Sequence, residues 1–232
     1  MQWIAPAEKN EANDLLEKRL WDAADQLRAN SGLTSAQYSQ PVLGLIFLRF
    51  TDSRFKVQQA KIKKAGKTSR RGSRVEDSAA YHAEGILYLA PGARFDELLS
   101  YPEGGKGGKS LGQAINEAMR NIERDNPQLA GVLPKTYETF EARILAELLK
   151  VISTIPSDLE GDSFGKIYEY FLGEFAMTEG QAGGEFYTPT AIVRLIVEIL
   201  EPFHGLILDP ACGSGGMFVQ SARFVSEHRK NP

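Results

Sequence analysis

One short apolar run, GLILDP at residues 205–210, is typical of a buried strand in a parallel sheet. A second run, EGILYLA at 84–90, fits either a short strand or an extended segment. A parallel sheet needs several strands covered on both faces, and this chain offers too few. We therefore expect 203–232 to pack on the N-terminal helical part of the chain, 1–156, or on a second copy of the chain. A multi-stranded parallel sheet around 206–209 would contradict that expectation.

Apolar residues at helical spacing dominate the rest of the chain. Pro41 falls in the first turn of a long second helix whose apolar block 42–50 predicts burial between neighbouring helices. PEGGKGGKS at 102–110 has the composition of a flexible linker. The predicted helices are 10–29, 35–64, about 110–124, 133–155, 163–180, 188–200 and one that opens near Gly215.

The composition is that of a globular protein without a strong charge bias. The net charge is −3, so any nucleic-acid surface must be local. One cysteine excludes an internal disulfide framework, and three scattered histidines offer no metal-site spacing. No run approaches the length of a membrane helix, and the N-terminus lacks the pattern of a signal peptide. These features predict a cytoplasmic protein with no metal site and no membrane partner.

A basic segment at 61–74 holds seven cations and no acid. One interpretation is a solvated or disordered loop. The other is a surface that contacts DNA phosphates, with salt-sensitive and sequence-independent affinity. The candidate DNA-binding residues are Lys61, Lys63, Lys64, Lys67, Arg70, Arg71 and Arg74.

The run DPACGSGGM that follows 205–208 predicts a ligand-binding turn between a strand and a helix. Its glycines do not match the dinucleotide fingerprint, and no Lys-Ser/Thr follows them as in a Walker A loop. Asp209 would repel a phosphate but would suit an ammonium group, such as the one on S-adenosylmethionine. A plain tight turn is the alternative. The candidate cofactor-binding residues here are Asp209, Pro210, Cys212, Gly213, Ser214, Gly215 and Gly216.

A second candidate element, GGEFYTP, lies about 20 residues upstream of Asp209. Thr188 and Pro189 mark a helix start, whose free N–H groups could face a bound carboxylate. An ordinary cap with two aromatic residues in the core is the alternative. This element adds Glu185, Phe186, Tyr187, Thr188 and Pro189 to the candidate cofactor residues.

The pair GGEFYTP and DPACGSGGM closely resembles the first two motifs of amino-group DNA methyltransferases. LWDAADQLRA, QPVLGLIFLRFTD and FGKIYEYFLGEFA resemble the N-terminal helical domain of the methylation subunit of type I restriction–modification enzymes. The resemblance implies a helical domain at 1–156 and, at 157–232, the start of a methyltransferase domain. The fold class is then mainly α: an N-terminal helical domain followed by the truncated start of an α/β Rossmann-like S-adenosylmethionine-dependent methyltransferase domain.

The resemblance also implies which chemistry the chain carries. Cys212 lies inside the cofactor turn, so we interpret it as a packing residue rather than the nucleophile of cytosine-C5 enzymes. That favours methylation of an exocyclic amine, and the resemblance implies the N6 amine of adenine. The family's Asn/Asp-Pro-Pro-aromatic motif, which holds the flipped base, is absent from these 232 residues. The acid expected to hold the cofactor ribose would fall at about Arg229, where none occurs. We therefore assign no catalytic residue and expect an inactive N-terminal fragment with weak or absent cofactor binding.

The implied partners are DNA, a specificity subunit, a second methylation subunit and the restriction subunit. Two other functions remain open from the residues. The helical domain can act as a module that binds DNA or sister subunits, or the chain can be part of a protein or RNA methyltransferase.

Overall fold

The computed structural model of the chain describes residues 6–66, 75–156, 163–179, 188, 190–213 and 215–228. Within these residues there is no strand, which confirms the mainly α prediction. The helices are α1 (Pro6–Ser31), α2 (Ser35–Gly66), α3 (Ser78–His82), α4 (Phe95–Leu99), α5 (Leu111–Asp125), α6 (Ala142–Ser153), α7 (Ser163–Glu179), α8 (Thr190–Leu200) and α9 (Gly216–His228), with 3-10 turns at Pro127–Leu129 and Tyr137–Thr139.

The chain divides into two compact units, Met1–Phe171 and Leu172–Pro232. In the first unit α6 contacts α1, α2, α4 and α5 and so lies at the centre of the helical packing. Val42, Leu45, Ile46 and Leu48 of α2 are buried, which confirms the burial predicted for most of that apolar block. Fully burying each such side chain stabilises the fold by about 1.5–3 kcal/mol before the cost of chain entropy is counted.

A buried amide connects α5 to the extended segment 86–90 of the first unit. The Asn126 side chain accepts a hydrogen bond from Tyr88 N (2.9 Å) and donates to the carbonyls of Tyr88 (2.9 Å) and Ile122 (2.7 Å). It also lies 3.0 Å from His82 Nε2. Residues 86–90 therefore lie outside any strand pairing, whereas Glu84 and Gly85 belong to the turn after α3. The amide satisfies backbone groups that a sheet partner would otherwise satisfy.

The glycine-rich stretch 102–110 forms an ordered turn, so the flexible linker predicted from its composition is wrong. Lys106 and Lys109 pair through their backbones in an isolated antiparallel bridge. The Tyr101 hydroxyl lies 3.1 Å from Lys106 O and 3.2 Å from Lys109 O, within reach of both carbonyls. Ser110 then begins α5 with a capping box, in which its hydroxyl accepts from Gln113 N and the Gln113 side chain accepts from Ser110 N.

In the second unit α8 and α9 pack against each other. Val193 and Val197 of α8 and Phe224 of α9 are buried, and the Phe224 ring stacks on His228 at 4.1 Å between centroids. The predicted buried strand at 206–209 is wrong. Leu206 and Leu208 are 104% and 88% exposed, because the described residues provide no strand to pair with this segment.

Candidate cofactor-binding turn

The turn between α8 and α9 is shaped by two local hydrogen bonds. Asp209 Oδ1 accepts from the backbone N–H of Ala211 at 3.0 Å, and Gly215 N donates to Cys212 O at 2.8 Å. Aspartate side chains favour this contact with the backbone two residues ahead. The carboxylate that the sequence singled out therefore also sets the entry into the turn.

Two glycines determine the backbone conformation of the turn. Gly213 has φ +51° and Gly215 has φ +80°, which is the left-handed region that residues with a Cβ rarely adopt. A Cβ built on Gly213 would meet no heavy atom within 4 Å. The backbone conformation, rather than crowding, thus requires glycine here, and the space beside Gly213 is open.

The start of α9 lies immediately after these glycines. Gly215 O accepts from Val219 N at 3.1 Å, so the helical hydrogen bonds begin there and leave N–H groups of the first turn without a helical partner. A Cβ on Gly216 would lie 3.9 Å from Val193 Cγ2, which places the helix start against α8. The acid and a helix N-terminus are thus separated by one short turn.

This set of groups fits an ammonium ligand better than a phosphate. Asp209 is half-buried, and no described cation forms an ion pair with it. Among the described residues, only its Oδ1 bonds the backbone, so Oδ2 is available to a positive group. A phosphate would face this uncompensated negative charge. The methionine end of S-adenosylmethionine carries an ammonium, a carboxylate and a sulfonium, and it fits an acid beside a helix N-terminus.

The structure brings together only part of the predicted cofactor site. Asp209, Pro210, Cys212, Gly213, Gly215 and Gly216 share the turn and the start of α9. Thr188 is exposed and precedes α8, which begins at Thr190. Glu185, Phe186, Tyr187, Pro189 and Ser214 lie outside the described residues.

Cys212 is exposed, so the expectation that it packs beneath the turn is wrong. Its sulfur lies 3.8 Å from the carbonyl oxygen of the next residue, Gly213. The reason is the openness of the turn, because the described part of the chain places no core behind this residue.

A shallow depression of about 620 Å³ lies beside the turn. It is formed by the segment 202–207 and by α9, and its wall includes Phe203, Ile207 and Phe218. Asp209, Gly213, Gly215 and Gly216 do not line it. The depression is therefore an apolar neighbour of the candidate site, not its pocket.

The basic segment is described only in its first part. Lys61, Lys63 and Lys64 are exposed in the last turns of α2, and Lys63 Nζ donates to Gln59 Oε1 at 3.0 Å. Lys67, Arg70, Arg71 and Arg74 lie outside the described residues. Val75, the next residue that the structure describes, accepts a hydrogen bond from the Tyr81 hydroxyl at 2.7 Å.

Among the described residues, no cluster of three or more His, Cys, Asp or Glu side chains could hold a metal ion. None of the described helices combines the length and the apolar character that crossing a membrane requires.

Two protein families match the chain in succession. Residues 16–155 match the family described as the HsdM N-terminal domain. Residues 159–232 match the family described as N-6 DNA Methylase. The second match contains the Asp209–Gly216 turn.

The similar proteins are methylase subunits of type I restriction enzymes. The MjaIX subunit of Methanocaldococcus jannaschii is 36% identical over 221 residues, which cover 88% of this chain and 38% of the relative. The HindI subunit of Haemophilus influenzae is 42% identical over 139 residues, which cover 54% of this chain and 31% of the relative. The EcoKI subunit of Escherichia coli is 23% identical over 221 residues, which cover 92% of this chain and 35% of the relative. The chain spans about a third of the length of these relatives.

Proposed function

The chain belongs to the HsdM N-terminal domain family, and we propose on that basis that it is part of the methylation subunit of a type I restriction–modification enzyme. The activity of that subunit would be transfer of a methyl group from S-adenosylmethionine to the N6 amine of adenine in DNA. The observation that carries the proposal is the Asp209–Gly216 turn, which lies inside the match to N-6 DNA methylases.

The described residues have defined roles in this proposal. The Asp209 carboxylate would hold the cofactor's ammonium, and the start of α9 would receive its carboxylate. The positive φ angles at Gly213 and Gly215 leave the turn open for that contact. When bound, S-adenosylmethionine supplies a methyl group activated by its sulfonium. Glu185, Phe186, Tyr187, Thr188, Pro189 and Ser214 complete the proposed cofactor contacts by their place in the two motifs.

The partners follow from the same premise. We propose DNA, a specificity subunit, a second methylation subunit and a restriction subunit as partners, with 1–156 as the helical domain and 157–232 as the beginning of the methyltransferase domain. The 61–74 segment is the proposed DNA contact within the helical domain. The 232 residues contain no Asn/Asp-Pro-Pro-aromatic tetrapeptide, so we propose that this polypeptide alone does not transfer methyl groups.

A chimera tests the proposal directly. The chain would replace the matching part of the Methanocaldococcus jannaschii subunit, and adenine methylation would be measured with that system's specificity subunit and radiolabelled S-adenosylmethionine. We expect methylation by the chimera and a loss of at least about tenfold for Asp209→Asn, equivalent to about 1.4 kcal/mol. Glu201→Gln, which removes an exposed acid from the same unit, is the control.

Circular dichroism distinguishes an unfolded chimera from an inactive one. A folded chimera that binds its specificity subunit but methylates no adenine would overturn the proposal. For the 232-residue chain itself, calorimetry is expected to detect no S-adenosylmethionine binding at micromolar concentrations. Micromolar binding would contradict this expectation and show that these 232 residues suffice to hold the cofactor.

A further inference from the structure

All charged residues of α2 from Ser53 to its end are positive. Between Ser53 and Gly66 the helix has five lysine or arginine residues and no acid. With 3.6 residues per turn, Arg54, Lys61 and Lys64 fall within a sector of about 80° on the helix surface. At 1.5 Å per residue this cationic face, defined by these three residues, is about 15 Å long.

The three cations of this face are exposed and without carboxylate partners in the part of the chain that the structure describes. The Arg54 guanidinium lies over the Phe50 ring, 5.5 Å from its centroid, which holds the arginine without neutralising it. Lys56 on the inner side of α2 behaves differently. Its Nζ lies 2.7 Å from Asp52 Oδ2 and 2.6 Å from Asp96 Oδ2. Carboxylates therefore neutralise Lys56, whereas Arg54, Lys61 and Lys64 keep their charges without such partners.

Helix geometry also divides the lysines at the end of α2. Lys63 lies about 180° from Arg54 around the helix axis, on the same side as Lys56, and bonds Gln59. Lys61 and Lys64 lie on the opposite side with Arg54. The sequence interpretation treated 61–74 as one segment and missed Arg54, which the seven-residue spacing from Lys61 could have identified.

We propose that Arg54, Lys61 and Lys64 bind the phosphates of a nucleic-acid duplex without reading its sequence, an inference that rests on the proposed function. Duplex DNA carries one negative charge per about 1.7 Å, so a face of about 15 Å meets several phosphates at once. Val57 is 57% exposed between the cations and has no polar group with which to read a base edge. The face thus contributes affinity and position, and leaves recognition of sequence to other surfaces.

The salt dependence of binding tests this assignment. The 232-residue chain would be titrated against a fluorescently labelled duplex of about 30 base pairs at several salt concentrations, and the slope of log K against log salt measured. Arg54→Gln, Lys61→Gln and Lys64→Gln are each expected to reduce the slope by about 0.9. A control triple variant, Lys18→Gln with Arg19→Gln and Arg120→Gln, removes three exposed cations from α1 and α5. It is expected to keep the slope.

Three results would overturn the proposal. The first is no binding by the unmodified chain at low salt. The second is a reduction of the slope by about 0.9 or more in the control triple variant. The third is that polyglutamate binds with the same affinity as the duplex and displaces it, and that Arg54→Gln, Lys61→Gln and Lys64→Gln each abolish this binding. That result would assign the face to an acidic protein. Thermal melting monitors folding of every variant. An inactive chimera in the methylation assay would leave these binding results unchanged, so the two proposals fail separately.

Discussion

Tyr137 and Pro41 are joined across 96 positions of sequence by a buried hydrogen bond, in which the tyrosine hydroxyl donates to the Pro41 carbonyl at 2.9 Å. Gly44 lies one turn further along α2, and a Cβ there would be 2.5 Å from the Tyr137 hydroxyl oxygen. The absence of a side chain at Gly44 therefore allows the ring to lie close to α2. This contact links the second helix to the turn that precedes α6.

Tyr137→Phe removes the hydroxyl and keeps the ring. We expect the free energy of unfolding to fall by about 0.5–1.5 kcal/mol, since the buried bond is lost while the packing remains. Urea denaturation followed by circular dichroism measures the change. Tyr101→Phe, which removes an exposed hydrogen-bonding hydroxyl, is the control and should cost less. An equal loss of unfolding free energy in both variants would contradict the expectation that the buried hydrogen bond contributes more than the exposed one.

Stability should also fall at alkaline pH because of buried tyrosines. Burial raises the pKa of Tyr137 well above its usual value, and burial with a hydrogen bond to Glu76 raises the pKa of Tyr88 to about 12. In the unfolded chain both ionise near pH 10. Their contribution is therefore complete below pH 10 and is lost above it, by about 1.4 kcal/mol per pH unit for each group until its folded pKa is reached.

Unfolding free energies measured between pH 8 and pH 12 check this dependence. Tyr137→Phe removes one of the titrating groups and should give a shallower decline above pH 10. An unchanged slope in that variant would be inconsistent with a neutral, buried Tyr137.

Asn126→Ala should be among the most destabilising polar substitutions in the first unit. Loss of its side chain leaves the Tyr88 N–H and two carbonyls without their partner in a buried position. Each unsatisfied buried group costs about 1–3 kcal/mol, so we expect a loss of about 3 kcal/mol. Asn121→Ala, at a half-buried position of α5 where the amide bonds only the exposed Arg124, is the matched control and should change the unfolding free energy by less than about 0.5 kcal/mol. Differential chemical denaturation of the two variants provides the measurement.

Gly112→Ala and Gly173→Ala form a second matched pair. A Cβ on Gly112 would lie 2.6 Å from the carbonyl oxygen of Tyr137, so the backbone must shift and we expect a loss of about 1–3 kcal/mol. A Cβ on Gly173 of α7 meets nothing within 4 Å. Alanine there should raise helix stability by up to about 1 kcal/mol. Thermal melting of both variants should therefore shift in opposite directions.

The sequence predicted α1 and α2 well because their periodicity is local, whereas the helix predicted over 133–155 begins only at Ala142. The apolar block 42–50 in α2 indicated which side is buried, and the structure confirms this for most of the block. Long-range contacts left no such signal. Nothing near Asn126 in the sequence identifies Tyr88 as its partner, since the two are 38 positions apart.

The candidate site was predicted less completely. The motif identified the glycine turn, but the buried strand and the packed Cys212 were expected from residue type alone. A strand is defined by its partner, and a small residue is buried only where other residues surround it. Neither condition holds for 206–209 or for Cys212 among the described residues.

The unpaired segment that includes Leu206 and Leu208 has a consequence for the life of the chain in a cell. Short apolar stretches with free backbone groups pair with other chains and start aggregates. Holdase chaperones and proteases compete for such surfaces before aggregation occurs. The solubility of these 232 residues should therefore depend on what covers Leu206 and Leu208.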